Sequence, residues 1–380
     1  MHAILVVHAR SFLTEEDALR SPLEHARHYA QVAQQTNLLY KEGGTQLLAG
    51  LALFDRERIQ IDSGWEWARQ HIPTPETDKL LLSYTDATTY VGDLRYHKRS
   101  EQIPQLEAAL QAARRQSLWN YELATLINLG DAYRLLGDYH RASTFLDQGL
   151  RIAREIGDQI NEANVLNNLG LVYTDQGSLH LAIVYHDQAL AIIRKFSDHR
   201  SEGIILGNLG NICANLGDLH RAIDYHKQAL ELSHALGDRR GEGTAEINLG
   251  SAYANLGDPR RAIEYFERAL SISLQIGDRR NESTARSNLG LAYTGIGNKK
   301  RAISYLESAL LISCELGDRR SEAIASWNLG LAYEQQDNFA NAIRLMQVYV
   351  DFARETGFAD IEKCVEKLEQ VRRRSRELQS

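Results

Sequence analysis

The amino-acid sequence predicts an all-α solenoid. The triplet Asn-Leu-Gly occurs six times at a constant interval, at 128–130, 168–170, 208–210, 248–250, 288–290 and 328–330. Apolar residues around each triplet recur with the period of an amphipathic helix, and Gly-Asp pairs punctuate the repeats. A single repeat of this length cannot bury its apolar faces alone, so neighbouring repeats must stack on one another.

Residues 238–277 illustrate one repeat. Asp238 is a candidate N-cap of a first helix, which we call helix A, and Gly257 is suited to the left-handed conformation that ends it. Asp258 then caps a second helix, helix B, with Pro259 at its first position, where a missing N–H costs nothing. Helix B ends at Gly277, so the predicted repeat is helix, tight turn, helix, tight turn.

Gly250 lies inside the predicted helix A, where glycine costs about 1 kcal/mol relative to alanine. Glycine occupies this position in every one of the six copies, which argues against a merely tolerated residue. We expect the missing side chain to let helix A lie close against helix B.

The repeat resembles the tetratricopeptide repeat. The matching residues are Leu249, Gly250, Tyr253, Ala262, Tyr265 and Ala269. The usual period of that repeat is about 34 residues. The longer version found in this chain is similar to the repeats of kinesin light chains and of the Leu-Gly-Asn adaptor family. The resemblance implies a right-handed α-solenoid of non-catalytic repeats whose concave surface binds proteins.

The flanking regions differ from the repeats. We expect irregular helices with at least one degenerate repeat at 1–117, six repeats at 118–357 and a C-terminal capping helix at 358–380. In the first region the helical segments are predicted at 22–41, 45–54, 63–71, 78–95 and 104–117. The segments HARHYAQVAQQ and FDRERIQIDSGWEWARQ resemble the part of bacterial STAND-type signalling ATPases that leads into a tetratricopeptide repeat sensor. The phosphate-binding loop of such an ATPase is absent, so the resemblance is to the sensor portion, free-standing or part of a longer protein.

Composition excludes several function classes. The net charge of −7 and the pI of about 6.0 argue against nucleic acid or an anionic membrane as the main partner. The N-terminal MHAILVVHAR is too short in its apolar part for a signal peptide, and no apolar run approaches a membrane span. Three scattered cysteines form neither a disulfide framework nor a metal motif, which favours a cytoplasmic location.

Enzyme signatures are scarce. The sequence has no zinc-protease, nucleophile-elbow or dinucleotide-binding motif, and we therefore expect no catalytic residues, no metal site and no cofactor. A glutamate recurs near the start of each helix A, as Glu122 does in the first repeat, where it favours the helix dipole. A catalytic carboxylate pair among these glutamates is the less favoured interpretation.

A polar stripe on helix A is the candidate binding surface. An Asn amide offers both a donor and an acceptor, so one Asn per repeat can pair with the backbone of an extended peptide whatever its side chains are. We expect the asparagines of neighbouring repeats to lie about 10 Å apart, so that every third residue of an extended peptide would lie opposite an asparagine. The predicted peptide-binding residues are Asn128, Asn168, Asn208, Asn248, Asn288 and Asn328, with Asn164, Asn211, Asn215 and Asn255 beside them.

Two alternatives stay open at this stage. The six asparagines can instead satisfy one another or neighbouring helices and serve the fold alone. The chain can also be a self-associating structural scaffold rather than a sensor or adaptor in bacterial signalling.

Overall fold

The computed structural model describes residues 15–42, 44–356 and 361–377. These residues are almost entirely helical, and none of them belongs to a strand, in agreement with the predicted all-α class. The N-terminal segment MHAILVVHAR lies outside the described residues. Contacts divide the chain into two compact units, Met1–Asp158 and Gln159–Ser380, which are described separately below.

Helices of the first unit include the first repeat. They are α1 (Glu15–Glu42), α2 (Gly44–Gln70), α3 (Pro75–Ala87), α4 (Val91–Arg95), a π-helical turn (Lys98–Gln102), α5 (Ile103–Arg115), α6 (Trp119–Leu135) and α7 (Tyr139–Glu155).

The remaining repeats form the second unit. Its helices are α8 (Gln159–Asp175), α9 (Leu179–Phe196), α10 (His199–Asn215), α11 (Leu219–Leu236), α12 (Arg239–Asn255), α13 (Pro259–Ile276), α14 (Arg279–Gly295), α15 (Lys299–Leu316), α16 (Arg319–Glu334), α17 (Phe339–Thr356) and α18 (Ile361–Glu377).

In the first unit the predicted helix boundaries need correction. The segments 45–54 and 63–71 belong to one helix, α2, because the polar stretch between them contains no helix-breaking residue. The segment 78–95 is instead two helices, since the chain turns at Thr88, whose hydroxyl donates to the carbonyl of Tyr84 at 2.9 Å. Pro22 lies inside α1 rather than in a first turn.

The caps of the second unit follow the prediction. The side chains of Asp238 and Asp258 each accept a hydrogen bond from the backbone N–H three residues on, which satisfies a donor at the start of α12 and of α13. Gly257 has a φ of +84° and so ends α12 in the left-handed conformation. Pro259 is the first residue of α13, as expected.

Each helix A glycine packs against one large side chain of helix B. A Cβ atom built on Gly250 would lie 2.5 Å from Cε1 of Phe266, and the corresponding contact is made by the glycine of every other repeat. The predicted packing role of this glycine is therefore confirmed. The helix B residues opposite it are Leu146, His186, His226, Phe266, Leu306 and Met346.

Two of these helix B residues are histidines. His186 and His226 are buried, at 0% and 1% exposure, and burial lowers the pKa of each to about 4 from the ordinary value of 6.5. Neither Nε2 of His186 nor Nδ1 of His226 has a hydrogen-bond partner among the described residues. Both rings are therefore neutral and only partly satisfied in the core.

Cys213 occupies the helix A position that is tyrosine in the neighbouring repeats, and it is buried, as predicted. Tyr253 and Tyr293 at that position stack on Tyr265 and Tyr305 of helix B with ring centroids 5.2 and 5.6 Å apart. Burial raises the pKa of the Cys213 thiol, which keeps it protonated.

The last helix covers the sixth repeat. Leu368 and Val371 of α18 are buried against Phe339 and Met346 of α17, while the opposite side of α18 is polar. None of the helices in the described ranges is long and apolar enough to cross a bilayer. The proposed domain limits at 117 and 357 stay predictions.

Substitution of Gly250 by alanine tests the helix contact. We expect Gly250→Ala to reduce the free energy of unfolding by about 1 to 2 kcal/mol, because overpacking against Phe266 outweighs the better helix propensity of alanine. Urea unfolding followed by circular dichroism measures the change. Gly203→Ala is the matched control: a Cβ there lies 3.8 Å from its nearest neighbour, so this variant should gain up to about 1 kcal/mol. A stable Gly250→Ala protein would contradict the packing role.

Acidification should destabilise the fold through the two buried histidines. The unfolded histidines bind a proton near pH 6.5 and the folded ones only near pH 4, so stability should fall as the pH is lowered between these values. The double variant His186→Leu/His226→Leu places the residue of the first and fifth repeats at both sites and should flatten this loss by about 1–3 kcal/mol per histidine. Thermal unfolding of both proteins across this pH range measures it, and parallel curves would contradict the assignment.

Candidate functional site

The candidate site is the face formed by the helices A, which carries the predicted asparagines. Asn168, Asn208, Asn248, Asn288 and Asn328 occupy equivalent positions on α8, α10, α12, α14 and α16 of the second unit, and all are half-buried. Asn128 occupies the same position on α6 of the first unit and is exposed. Each precedes a buried leucine and the packing glycine of its helix, so the backbone of helix A sets the position of the amide.

Some of the asparagines are used by the fold. Nδ2 of Asn208 donates to Oδ1 of Asn167 in the preceding repeat at 3.0 Å, and Nδ2 of Asn328 lies 3.5 Å from Oγ of Ser287 in the same relation. Nδ2 of Asn168 donates to the carbonyl of Asn164 within α8 at 2.8 Å. These three amides are therefore used, at least in part, to stabilise the fold.

The amides of Asn248 and Asn288 differ. Asn208 and Asn328 contact a polar side chain 41 residues earlier. The corresponding residues for Asn248 and Asn288 are Gly207 and Ile247, which carry no polar side chain. No side-chain hydrogen bond is formed by either amide, or by that of Asn128, with any residue that the structure describes. These three amides retain their full donor and acceptor capacity.

Hydroxyl groups on the same face are satisfied locally. Thr244 and Ser251 donate to the carbonyls of Arg240 and Ile247 in their own helix, at 3.1 and 3.0 Å. Of the residues flanking the stripe, Asn211, Asn215 and Asn255 are exposed, and Nδ2 of Asn164 donates to Oδ1 of Asn161 at 3.3 Å. The spare hydrogen-bonding capacity of the face is thus concentrated in amides.

Asn167 connects the face to the core. Its Oδ1 lies 3.1 Å from Nδ1 of the buried His186 and also accepts the hydrogen bond from Asn208. With His186 neutral, its proton must lie on Nδ1 for this contact to be a hydrogen bond. The orientation of the Asn208 amide therefore depends on a buried side chain of helix B.

A cleft of about 530 Å³ interrupts the face between α10 and α12, with α11 as its floor. Gly203 and Gly207 line it from α10 and Gly241 lines it from α12. Unlike Gly250, Gly207 has no packing reason, because a Cβ there would lie 3.9 Å from its nearest atom, Nδ2 of Asn248. Leaving glycine at such a helical position costs about 1 kcal/mol and keeps the cleft open.

Apolar walls and paired charges surround the cleft. Ile204 and Leu236, 56% and 48% exposed, line it beside the amides of Asn208 and Asn248. At its edge Nε of Arg200 lies 3.0 Å from Asp238. Nε of Arg240, also at the edge, lies 2.9 Å from Asp278. The charges at the rim are thus neutralised in pairs, and the interior is uncharged.

Sequence reasoning missed this cleft. The available signal was that Gly203 and Gly207 are interior helix glycines at positions where other repeats have side chains, such as Leu123 and Ile127. Among the described residues no three His, Cys, Asp or Glu side chains come together as a metal ion would require.

Comparison with known proteins identifies the repeats. The tetratricopeptide repeat family matches residues 123–156, 161–234, 241–315 and 315–356, which together make up more than half of the chain. No curated protein sequence matches significantly. Repeats of this family are generally non-catalytic protein-interaction modules.

Solved structures share the fold at low identity. A Rap protein complexed with competence and sporulation factor is 16% identical, with a TM-score of 0.56 over 92% of this chain and 99% of that one. Aspartyl phosphate phosphatase F from Bacillus subtilis is 15% identical, with a TM-score of 0.52 over 90% of this chain and 94% of that one.

A third similar structure is a STAND protein with a tetratricopeptide repeat sensor from Pyrococcus horikoshii. It is 18% identical, with a TM-score of 0.53, and the match covers 92% of this chain but only 55% of that one. At these identities the likenesses show the fold alone. On the family matches and the helix pairs described above, the chain belongs to the tetratricopeptide repeat family.

Proposed function

We propose that the chain is a non-catalytic recognition module that holds an extended segment of a protein or peptide on the helix A face. Its setting would be the sensor or adaptor portion of a bacterial signalling system in the cytoplasm. The observation that carries this proposal is the pair of half-buried, unpaired amides at Asn248 and Asn288 on the helix A face of the second unit, where the neighbouring hydroxyls of Thr244 and Ser251 are already satisfied.

The amides are suited to a peptide backbone. A peptide N–H and C=O need one acceptor and one donor, and a single Asn side chain supplies both. The five asparagine positions of the second unit, about 10 Å apart, span about 40 Å, the length of an extended segment of about 12 residues; the two free amides, Asn248 and Asn288, would contact residues about three apart in it. Recognition of this kind tolerates many peptide sequences.

Selectivity would come from the cleft between α10 and α12. Its volume of about 530 Å³ accepts an aromatic or large aliphatic side chain, and its walls at Ile204 and Leu236 are apolar. The rim guanidinium groups are paired, so the cleft offers no free charge to an ionised ligand side chain. We therefore expect a large uncharged residue at one position of the bound segment.

Two solved structures of similar fold support the biological role that we propose. The Rap protein of this fold was solved in complex with competence and sporulation factor, and the Pyrococcus protein carries its repeats as a sensor. We propose a corresponding ligand-holding and sensing role here.

The unpaired amides can be tested with a selected ligand. Phage display of random peptides of about 12 residues on the wild-type chain provides the probe, and fluorescence anisotropy provides the affinity. We expect Asn248→Ala/Asn288→Ala to weaken binding at least about tenfold, because two backbone hydrogen bonds are lost, while helical content and melting temperature are unchanged. Gln188→Ala/Gln228→Ala, on exposed positions of helix B, is the matched control and should bind as the wild type does.

Two results would contradict the proposal. One is a double Asn variant that binds the selected peptides as tightly as the wild type. The other is a double Asn variant that loses its fold, which would show that these asparagines serve the fold rather than ligand binding. Light scattering across a concentration series shows separately whether the chain self-associates.

The cleft can be filled without substituting the asparagines. Gly207→Ile introduces the residue that the next repeat carries as Ile247, and a Cβ at this position meets no atom closer than 3.9 Å. We expect stability to be kept or raised by up to about 1 kcal/mol, and affinity for peptides with a large apolar residue to fall at least about tenfold. Unchanged affinity would show that the cleft takes no part in binding.

A further inference from the structure

A second cleft opens on the opposite side of the repeats, toward the helices B. It lies between α11 and α13, with α12 as its floor, and has a volume of about 530 Å³. Leu230 and Ile272 form apolar walls, while Glu242 and Glu246 of α12 form the floor. The cleft shares no residue with the glycine-lined cleft of the helix A face.

Glu246 is unusual among the repeats. The first three repeats have leucine at this position, as Leu126, Leu166 and Leu206. Glu246 is nevertheless buried, with 6% exposure, and its Oε2 accepts no hydrogen bond from any residue in the described ranges. A buried carboxylate oxygen without a donor is unfavourable for folding, so its presence calls for a role other than packing.

Arg268 is the cation nearest to that oxygen, and it satisfies Glu246 poorly. Its Nε lies 3.3 Å from Oε2 of Glu246, but the guanidinium is half-exposed and lies over the ring of Tyr265, 4.2 Å from the ring centroid. Burial, together with the charge of Glu242, raises the pKa of Glu246, and Arg268 opposes this rise.

Glu242, one helical turn earlier, is better paired, because its carboxylate accepts a hydrogen bond from Arg239. Its carboxylate pairs with Arg239 of the same helix, and Oε1 lies 3.3 Å from Nδ1 of His234. Glu242 and Glu246 lie four residues apart and therefore project from the same side of α12. With Glu231 at the edge, the cleft is lined by three carboxylates, by the two guanidinium groups of Arg239 and Arg268 and by the imidazole of His234, so its net charge is −1 when histidine is counted as neutral. Its charge balance therefore favours an added cation.

We propose that this cleft binds the basic side chain of a partner protein, with its guanidinium or ammonium group donating to the carboxylate of Glu246 and its methylene stem packing on Leu230 and Ile272. The walls match the aliphatic stem of lysine or arginine, which buries its carbon chain while its charged end reaches a polar partner. The carboxylate on the floor matches the charged end. This site is independent of the peptide-binding function proposed for the helix A face.

Methyl-group NMR of the full chain tests the site. The methyl resonances of Ile272 and Leu230 are followed during titration with Nα-acetyl-arginine amide and, separately, with Nα-acetyl-citrulline amide, a neutral molecule of nearly the same shape. We expect a saturable shift with the arginine probe and none with the citrulline probe. Glu246→Gln should weaken binding of the arginine probe at least about tenfold, because the charge-assisted hydrogen bond is lost. Glu264→Gln, on an exposed position of α13, is the matched control.

Glu246→Leu separates binding from folding. It places the leucine of the first three repeats at this position, so it should keep the helical content, raise the melting temperature and abolish the shift with arginine. Equal shifts with arginine and citrulline, or unchanged binding by either Glu246 variant, would overturn the proposal. So would Ca²⁺ that shifts the same methyl groups and displaces the arginine probe, since the site would then be one for an inorganic cation.

Discussion

Close contact between the helix A glycine and a large side chain of helix B is the interaction on which the repeats depend. At Gly250 and Gly290 a methyl group would lie 2.5 Å from Phe266 and Leu306, so only glycine permits the observed approach of the two helices. This contact fixes the rotation of helix A about its own axis. The asparagine two residues earlier is thereby held on the same side in each of the five repeats of the second unit, and the stripe is a consequence of the packing.

Helix glycines of two kinds can be distinguished in the third and fourth repeats. Gly210 and Gly250 have no room for a side chain, while Gly203 and Gly207 have room and leave it empty. The first kind stabilises the helix pair through close packing, and the second weakens helix α10 without a compensating contact. A similar distinction separates Glu242, whose carboxylate accepts a hydrogen bond from Arg239, from Glu246, whose Oε2 is buried without a hydrogen-bond donor. Each proposed cleft is therefore lined by residues that are unfavourable for folding. The two clefts lie on opposite sides of the third and fourth repeats.

Side chains in the core also influence the candidate binding surface. His186 replaces the leucine or phenylalanine of other repeats at the glycine contact, and through Asn167 it orients the amide of Asn208. The third repeat therefore presents an amide that is already engaged, whereas the fourth and fifth present free ones. The six asparagines are equivalent in sequence, but their hydrogen-bonding capacity is unequal because the residue one repeat earlier differs.

By itself, the sequence determined the helix pairs, their caps and the packing glycine, because these depend on interactions within a single repeat that recur in register. Asp258, Gly257 and Pro259 each act on their own turn, and the structure places them as predicted. Helix limits before residue 118 were predicted less well, since no repeat constrains them and the polar stretch inside α2 carries no stop signal. Tertiary structure alone decided which asparagines are free and where the clefts lie. The reason is that a hydrogen bond such as Asn208 to Asn167, or the open space beside Gly207, depends on side chains from neighbouring repeats, whose distances no local pattern contains.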